Sequence, residues 1–240
     1  MHNKEHAYTS TGIKKTKRIL GISSSPRESG SRSEQLLVKL LDHAKEFGAE
    51  VELIRLKDKN LYPCTACYSN KPALCDFPCT HKDQGDTQLV LEKIIEADAL
   101  VVATPVHWGG PSPLLSILLG KMTAIENNQD EIWDKSGKEP LAGKPFALIA
   151  SQDGDGAAMA LSQVQWALNH MGLFCIPYGM IFEPSILKRS VARMGLRLIG
   201  ERRFEWIENT IRLAARNLIL MSDELADCEF DDKLFREPRS

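Results

Sequence analysis

Hydroxyl side chains are concentrated in one stretch near the start of the chain, Gly21 to Ser33, which has the sequence GISSSPRESGSRS. Ser31 and Glu34 have the spacing of a capping box, which predicts that a helix begins there. The N–H groups of its first turn, the hydroxyls and the guanidinium of Arg27 would then face the same small volume. The stretch therefore indicates a site for a dianionic phosphate, although an ordinary serine-rich connection has the same composition.

The common glycine-rich phosphate motifs do not occur in this stretch. Neither Gly-x-Gly-x-x-Gly nor Gly-x-x-x-x-Gly-Lys-Ser/Thr is present, which argues against a dinucleotide-binding turn and against a P-loop. A loop with serines in place of glycines suits a single terminal phosphate, because hydroxyls can surround such a group from several sides.

A second chemical feature is a set of four cysteines, Cys64, Cys67, Cys75 and Cys79, in residues 57–84, which show no helical or strand period. Thiolates at this spacing can hold a [4Fe–4S] cluster or a structural zinc ion, act as a dithiol, or stay unligated. We expect unligated thiols and therefore assign no metal ligand. The four residues remain the candidate ligands of the cluster alternative.

The elements that would position these residues alternate regularly along the chain. Apolar runs predict strands at residues 18–22, 50–56, 99–103, 145–150 and 173–176. Helical spacing predicts helices at residues 34–47, 88–97, 113–125, a segment ending near 170, and 198–220. This alternation predicts an α/β fold, a doubly wound five-stranded parallel sheet with helices on both faces. Ligands of such sheets bind beyond the carboxyl ends of the strands, where residues 23–33, 104–110 and 151–156 would meet.

These residues resemble the flavodoxin-like family of NAD(P)H-dependent FMN reductases and iron–sulfur flavoproteins. Members open with a strand and Gly-x-Ser-x-Ser-Pro-Arg, and they carry Thr-Pro-Val-Tyr in the second loop. The resemblance covers about residues 18–180 and implies a flavodoxin-like fold with FMN as cofactor. It implies FMN contacts in the three loops from Ser23, Ser25, Arg27, Ser31 and Ser33, from Thr104, Pro105, Val106, His107, Trp108 and Gly109, and from Ser151, Asp153 and Gly154.

The chain departs from the family pattern at two places. His107 stands where the family usually has tyrosine, and Gly120-Lys121 replaces a common Asp-Arg pair. These two departures affect which side chain stacks on the flavin ring and which electron acceptor the protein prefers. Some members of the family carry a compact cysteine set that binds an iron–sulfur cluster, whereas many plain reductases keep Pro-Cys-x-x-Cys without one. The segment beginning at Pro63 is more similar to the second pattern.

The resemblance implies an FMN-dependent NAD(P)H oxidoreductase that passes electrons to a quinone, flavin, metal ion or nitro-compound. An iron–sulfur flavoprotein and a flavodoxin-type electron carrier are the alternatives, followed by a flavin-free zinc protein. No catalytic residue is assigned, because hydride transfer to a flavin needs no protein acid or base at the reacting carbon.

Bulk properties limit the partners and the organisation of the chain. A formal net charge of −2 over 240 residues gives no reason to expect nucleic acid or a membrane surface as partner. Six cysteines without a secretion signal favour the cytoplasm. We expect one domain over residues 18–222, between a disordered tail at 1–17 and a charged tail at 223–240. The apolar final helix and the loop around Trp133 predict a homodimer or homotetramer.

Overall fold

The computed structural model describes residues 16–128, 140–152, 155–184 and 197–226, and the structural statements below concern these residues. Five parallel strands form one sheet in the order β2-β1-β3-β4-β5. The strands are β1 Arg18–Ser23, β2 Glu50–Arg55, β3 Ala99–Pro105, β4 Pro145–Gln152 and β5 Phe174–Pro184. The predicted flavodoxin-like doubly wound sheet is therefore confirmed.

Helices cover both faces of this sheet. They are α1 Arg32–Glu46, α2 Thr87–Glu96, α3 Pro113–Glu126, α4 Ala157–His170 and α5 Arg197–Glu224. Helices α1 and α5 pack on one face, and α2, α3 and α4 pack on the other. Because both faces are covered, the central strands are continuous apolar runs, and the first six residues of β3 are all buried.

Strand β5 is longer than its apolar run predicted. The prediction ended this strand at Ile176, but the pairing with β4 resumes at Met180 after a bulge and continues to Pro184. Tyr178 has a positive φ in this bulge, and a Cβ on Gly179 would lie 2.7 Å from the carbonyl oxygen of Ile176. The Pro-Tyr-Gly sequence interrupts the strand pattern, although an edge strand accommodates both proline and a bulge.

The order of the strands reverses beside β1, since the chain leaves β1 toward β2 on one side and toward β3 on the other. The loops that follow β1 and β3 therefore begin side by side at the carboxyl edge of the sheet. At the other edge, Lys17 and Asp223 form an ion pair at 3.2 Å. Among the described helices, none is long and apolar enough to cross a membrane.

Candidate functional site

Helix α1 has the N-cap that the capping-box spacing predicted, and it begins two residues before the predicted range of 34–47. Ser31 is its N-cap, and the Ser31 side chain accepts a hydrogen bond of 3.3 Å from the N–H of Glu34. The Glu34 carboxylate, however, turns away from this cap. It accepts hydrogen bonds of 2.7 Å from the Ser23 hydroxyl and 2.7 Å from Nε of Arg55. The capping box is thus formed on one side only, and Glu34 links α1 to the ends of β1 and β2.

This arrangement keeps Glu34 charged. Burial opposes the charged form, but hydrogen bonds from Arg55 and Ser23 together hold the pKa of Glu34 below its ordinary value of 4.5. The same contact raises the pKa of Arg55. A fixed ion pair therefore lies directly behind the first turn of α1.

We call residues 23–33 the serine loop. All of its serines except Ser29 are almost fully buried, and three of them lie close to the N-terminus of α1. Ser25 accepts a hydrogen bond from the N–H of Arg27, and Ser31 and Ser33 form one hydrogen bond of 3.3 Å with each other. Each hydroxyl carries one proton, so Ser25 and one member of the Ser31–Ser33 pair have a proton without an acceptor among the described residues. These two donors, together with the N–H groups of the first turn, fit an anion.

Hydrogen bonds hold the serine loop against the second loop. The hydroxyl of the buried Ser24 donates to the carbonyl oxygen of Ala103 at 3.0 Å. The hydroxyl of Ser112, the N-cap of α3, donates to the carbonyl oxygen of Ser24 at 2.8 Å. The N–H of Ser112 donates to the Thr104 hydroxyl at 2.9 Å. Direct hydrogen bonds therefore join the two loops.

The second loop contains a tight turn. His107 and Gly110 exchange two backbone hydrogen bonds of 2.9 Å, and the two residues between them, Trp108 and Gly109, both have positive φ. This conformation is unusual for tryptophan, and the Trp108 side chain is fully exposed at 105%. Strain of this kind clusters at functional sites.

The third loop packs against the second loop. The carbonyl oxygen of Ser151 accepts from the N–H of Val106 at 2.9 Å, and the side chain of Gln152 caps the N–H of Ala157 at 2.7 Å. Gly156 has φ +100, and a Cβ there would lie 3.0 Å from the Cα of Gly109. Glycine at this position thus permits the close approach of the second and third loops.

The three loops enclose an open cleft of about 240 Å³. Its lining residues are Ser25, Pro26, Arg27, Ser31, Arg32, Pro105, Val106, His107, Ser151 and Gln152. Two guanidinium groups therefore border the buried hydroxyls, and one of them, Arg32, also donates to the carbonyl oxygen of Gln152 at 3.3 Å. Positive charge beside these donors favours a phosphate over a neutral ligand.

The predicted site residues do not all lie in the cleft. The structure brings seven of them together there: Ser25, Arg27, Ser31, Pro105, Val106, His107 and Ser151. Ser23, Ser33 and Thr104 are buried behind them, with the hydroxyls of Ser23 and Thr104 bonded to protein groups. Trp108 and Gly109 form the turn beside the cleft. Asp153 and Gly154 lie outside the described residues.

Three lining residues were missed by the sequence analysis, namely Pro26, Arg32 and Gln152. A signal was available for Arg32, because it is the first residue after the predicted N-cap Ser31. Gln152 could have been found as the last residue of β4, at the edge where ligands bind.

The cysteines lie in a different environment. We call residues 57–86 the cysteine loop. Its four cysteines are unpaired and half-buried. The Cys67 thiol donates to the carbonyl oxygen of Leu74, and Cys79 Sγ accepts from the ammonium of Lys121 at 3.3 Å.

The four thiols nonetheless influence one another. Burial raises the pKa of Cys75, and the charges of the other three cysteines add to the increase, whereas a hydrogen bond from Asn127 opposes it. Within the part of the chain that the structure describes, no group of three or more His, Cys, Asp or Glu side chains could hold a metal ion.

Comparison with known proteins identifies a family. A family profile described as NADPH-dependent FMN reductase matches residues 17–184, which include the sheet and all three loops of the cleft.

Curated relatives carry two kinds of name. An iron–sulfur flavoprotein of Methanocaldococcus jannaschii is 37% identical over 105 residues, which are 43% of this chain and 51% of that protein. An iron–sulfur flavoprotein of Archaeoglobus fulgidus is 27% identical over 170 residues, or 70% of this chain and 75% of that one. An NAD(P)H dehydrogenase (quinone) of Brucella anthropi is 22% identical over 62% of this chain and 66% of that one. The chain thus spans about half the length of the first of these relatives.

Solved structures share the fold. RosB with bound 8-demethyl-8-formylriboflavin-5′-phosphate superposes with a TM-score of 0.67 at 21% identity, over 92% of this chain and 84% of that one. A flavone reductase superposes with a TM-score of 0.61 at 20% identity, over 89% of this chain and 66% of that one. At these identities the similarity is one of fold.

Proposed function

Because the chain belongs to the NADPH-dependent FMN reductase family, we propose that it is an FMN-dependent oxidoreductase that takes electrons from NAD(P)H. The electrons pass to a small acceptor in the same cleft. The residues that line the described cleft support this proposal.

The observation that carries the proposal is the group of buried hydroxyls at the N-terminus of α1. Ser25, Ser31 and Ser33 provide two protons without a protein acceptor among the described residues, and Arg27 provides a positive charge at the rim. A terminal phosphate has the charge and the acceptor oxygens to satisfy these groups. In this proposal the serine loop holds the phosphate of FMN, and the other two loops border its flavin ring.

Each part of the protein then has a limited chemical role. FMN, when bound, would supply the hydride chemistry that carries two electrons from the nicotinamide to the acceptor. The chain binds and orients the cofactor. Pro105, Val106 and His107 line the cleft next to the serine loop, and His107 occupies a position where the family usually has tyrosine. Asp153 and Gly154 remain predicted contacts.

The acceptor is proposed only as a class. A quinone, a free flavin, a metal ion or a nitro-compound would suit a cleft that is open to solvent. The electron-carrier alternative differs in one measurable way, because a carrier holds FMN but does not oxidise NAD(P)H by itself.

The cysteine loop supports one alternative function. Four cysteines lie in one loop, the charges of three of them contribute to the raised pKa of Cys75, and six matched relatives bear the name iron–sulfur flavoprotein. If the loop were to gather these thiols around a cluster, the protein would contain iron. Iron and acid-labile sulfide in anaerobically purified protein distinguish the two functions.

We also propose that the protein forms an oligomer. We expect a homodimer or homotetramer, because the described surface includes several exposed aromatic side chains. Trp206 on α5 is 61% exposed, and Trp166 on α4 is 71% exposed. The loop around Trp133, which we predicted as a second contact, lies outside the described residues. A monomer mass by light scattering at micromolar concentration would contradict this expectation.

The proposed function is tested by purifying the protein and identifying its chromophore. We expect a flavin absorption spectrum, release of FMN on denaturation, and oxidation of NADH or NADPH that depends on an added acceptor. A colourless protein that does not bind added FMN would contradict the proposal. Bound FMN without NAD(P)H oxidation would favour the carrier.

A further inference from the structure

Helix α3 carries a buried lysine in contact with the cysteine loop. Lys121 is only 3% exposed, although lysine is almost never buried without a specific partner. Its ammonium lies 3.3 Å from Sγ of Cys79 and 5.0 Å from the centre of the Tyr62 ring. Within the described ranges, these two side chains are its polar and aromatic partners. The nitrogen of Lys121 is therefore held against one particular sulfur.

Neighbouring helices hold both partners of this contact in position. Cys79 lies between α2 and α3, because its backbone N–H donates to the Gln88 side chain of α2 at 3.1 Å. On α3, a Cβ at Gly120 would lie 3.3 Å from the Cβ of Cys64, so the helix and the cysteine loop are in close contact. Lys121 and Cys79 therefore meet where the cysteine loop packs against α3.

We propose that Lys121 and Cys79 are an oxidative modification site, at which dioxygen joins Nζ to Sγ through a single oxygen atom. The nitrogen and the sulfur are already within hydrogen-bond distance, so one inserted oxygen can bridge them after a small approach of the two side chains. Cys79 is half-buried as a residue, so this position is not closed off from solvent. The bridge would fasten the cysteine loop to α3.

The reaction balances with dioxygen as the only oxidant. One S–H bond and one N–H bond break, and one N–O bond and one O–S bond form. Nitrogen and sulfur each lose two electrons, and the four electrons reduce dioxygen to the bridging oxygen and one molecule of water. An ammonium–thiolate pair and an amine–thiol pair contain the same number of protons, so the balance holds for both.

The other thiols of the loop do not have this partner. Cys67 donates to the carbonyl oxygen of Leu74, and Cys64 accepts from the N–H of Ala66. Among the described residues, Cys79 is the cysteine of the loop that contacts an amine. Oxidation should therefore treat Cys79 differently from Cys64 and Cys67, whose oxidised products would be disulfides or sulfur acids.

The inference is independent of the proposed function, since it needs neither FMN nor NAD(P)H. It is tested by intact-mass analysis of the purified full-length protein after anaerobic preparation and after exposure to dioxygen. We expect a gain of about 14 Da on exposure, for one oxygen added and two hydrogens lost, and loss of this gain on treatment with dithiothreitol. Tryptic mapping should show the Cys79 peptide joined to a peptide in which cleavage after Lys121 has failed.

Two variants and a matched control complete the test. Lys121→Met keeps the length and the apolar stem of the side chain, and Cys79→Ser keeps its size, so each should abolish the gain. Cys64→Ser removes a cysteine of the same loop and should leave it unchanged. If a variant does not fold, the mass measurement on the wild-type protein still decides the question. The proposal is overturned by a mass that does not change, by a loss of about 2 Da from a disulfide, by persistence of the gain in Lys121→Met, or by iron bound at Cys79.

Discussion

The serine loop and the cysteine loop are both irregular segments rich in one reactive atom type, but the structure organises them in opposite ways. The side chains of the serine loop converge. Ser25, Ser31 and Ser33 are almost fully buried and gather at the N-terminus of one helix. The thiols of the cysteine loop have separate partners, such as the carbonyl oxygen of Leu74 for Cys67 and the ammonium of Lys121 for Cys79.

The difference shows that a site depends on the backbone around the reactive atoms more than on their density in the sequence. The serine loop is bonded to β3 through Ala103 and to the N-cap of α3, so the protein itself holds its donors in place. The cysteine loop contains only short 3₁₀ turns, at Cys67–Ser69 and Pro72–Leu74 within it. Because the donors of the serine loop are already placed, a ligand need not order them on binding.

The largest effect on stability is expected at the contact between the second and third loops of the cleft. Gly156→Ala places a Cβ 3.0 Å from the Cα of Gly109 at φ +100, and it should lower the free energy of unfolding by about 1–3 kcal/mol. Gly30→Ala is the matched control, because Gly30 also has positive φ but has nothing within 4 Å of the added Cβ. That change should cost about 1 kcal/mol in urea titrations. Equal losses would mean that the loops are not packed together.

A second test compares one hydroxyl from each region. Ser112→Ala removes the N-cap of α3 and leaves the buried carbonyl oxygen of Ser24 without its donor, so we expect a loss of about 1–2 kcal/mol. Thr80 in the cysteine loop also donates to a carbonyl oxygen, that of Leu74, but on the surface. Thr80→Ala should cost at most about 0.5 kcal/mol by chemical denaturation. The reverse order would contradict the contrast between the two loops.

A smaller, pH-dependent effect is expected at Glu34. Its pKa is lowered on folding, so the carboxylate contributes stability above the ordinary value of 4.5, and the contribution is lost as pH falls through the lower folded pKa. Glu34→Gln should therefore destabilise the protein by about 1 kcal/mol at pH 7, and the difference from wild type should shrink below pH 4.5. Glu50→Gln, an exposed change on β2, is the control. A difference that grows on acidification would contradict the ion pair with Arg55.

The smallest effect is expected from the cysteines themselves. Cys64→Ser combined with Cys67→Ser should leave FMN affinity and NAD(P)H oxidation within a few-fold of wild type, because neither thiol lines the cleft. The comparison is made on the same preparation in which iron is assayed. Loss of bound iron together with loss of one-electron acceptor activity in the double variant would instead support the cluster alternative.

Sequence patterns predicted those features that depend on neighbours along the chain. The five strands follow from apolar runs, and the N-cap at Ser31 follows from its spacing to Glu34. Features that depend on distant partners were missed. The carboxylate of Glu34 prefers Arg55, 21 residues away, to the reciprocal bond of a capping box. Strand β5 continues through a bulge because β4 provides the pairing beyond it.

The candidate site likewise combines features that local sequence predicts with features that depend on distant partners. The serine loop could be recognised from its residues, but the role of Ser112 depends on its hydrogen bonds to Thr104 and to Ser24 of the serine loop. No local pattern indicates that Lys121 of α3 lies against Cys79, 42 residues away. Long-range contacts decide which hydroxyls and thiols face a ligand and which are bonded to the protein.

The most direct test of the central claim is the affinity of FMN and of riboflavin for wild type, Arg27→Ala and Arg216→Ala. Riboflavin lacks the phosphate, and Arg216, exposed on α5, is a charge-matched control. If the serine loop holds the phosphate, Arg27→Ala should weaken FMN binding by about 1.5–3 kcal/mol, roughly 10- to 150-fold, with little effect on riboflavin. Arg216→Ala should change neither affinity. Unaltered FMN affinity in Arg27→Ala, or an equal loss for both flavins, would contradict the assignment of this loop to the phosphate.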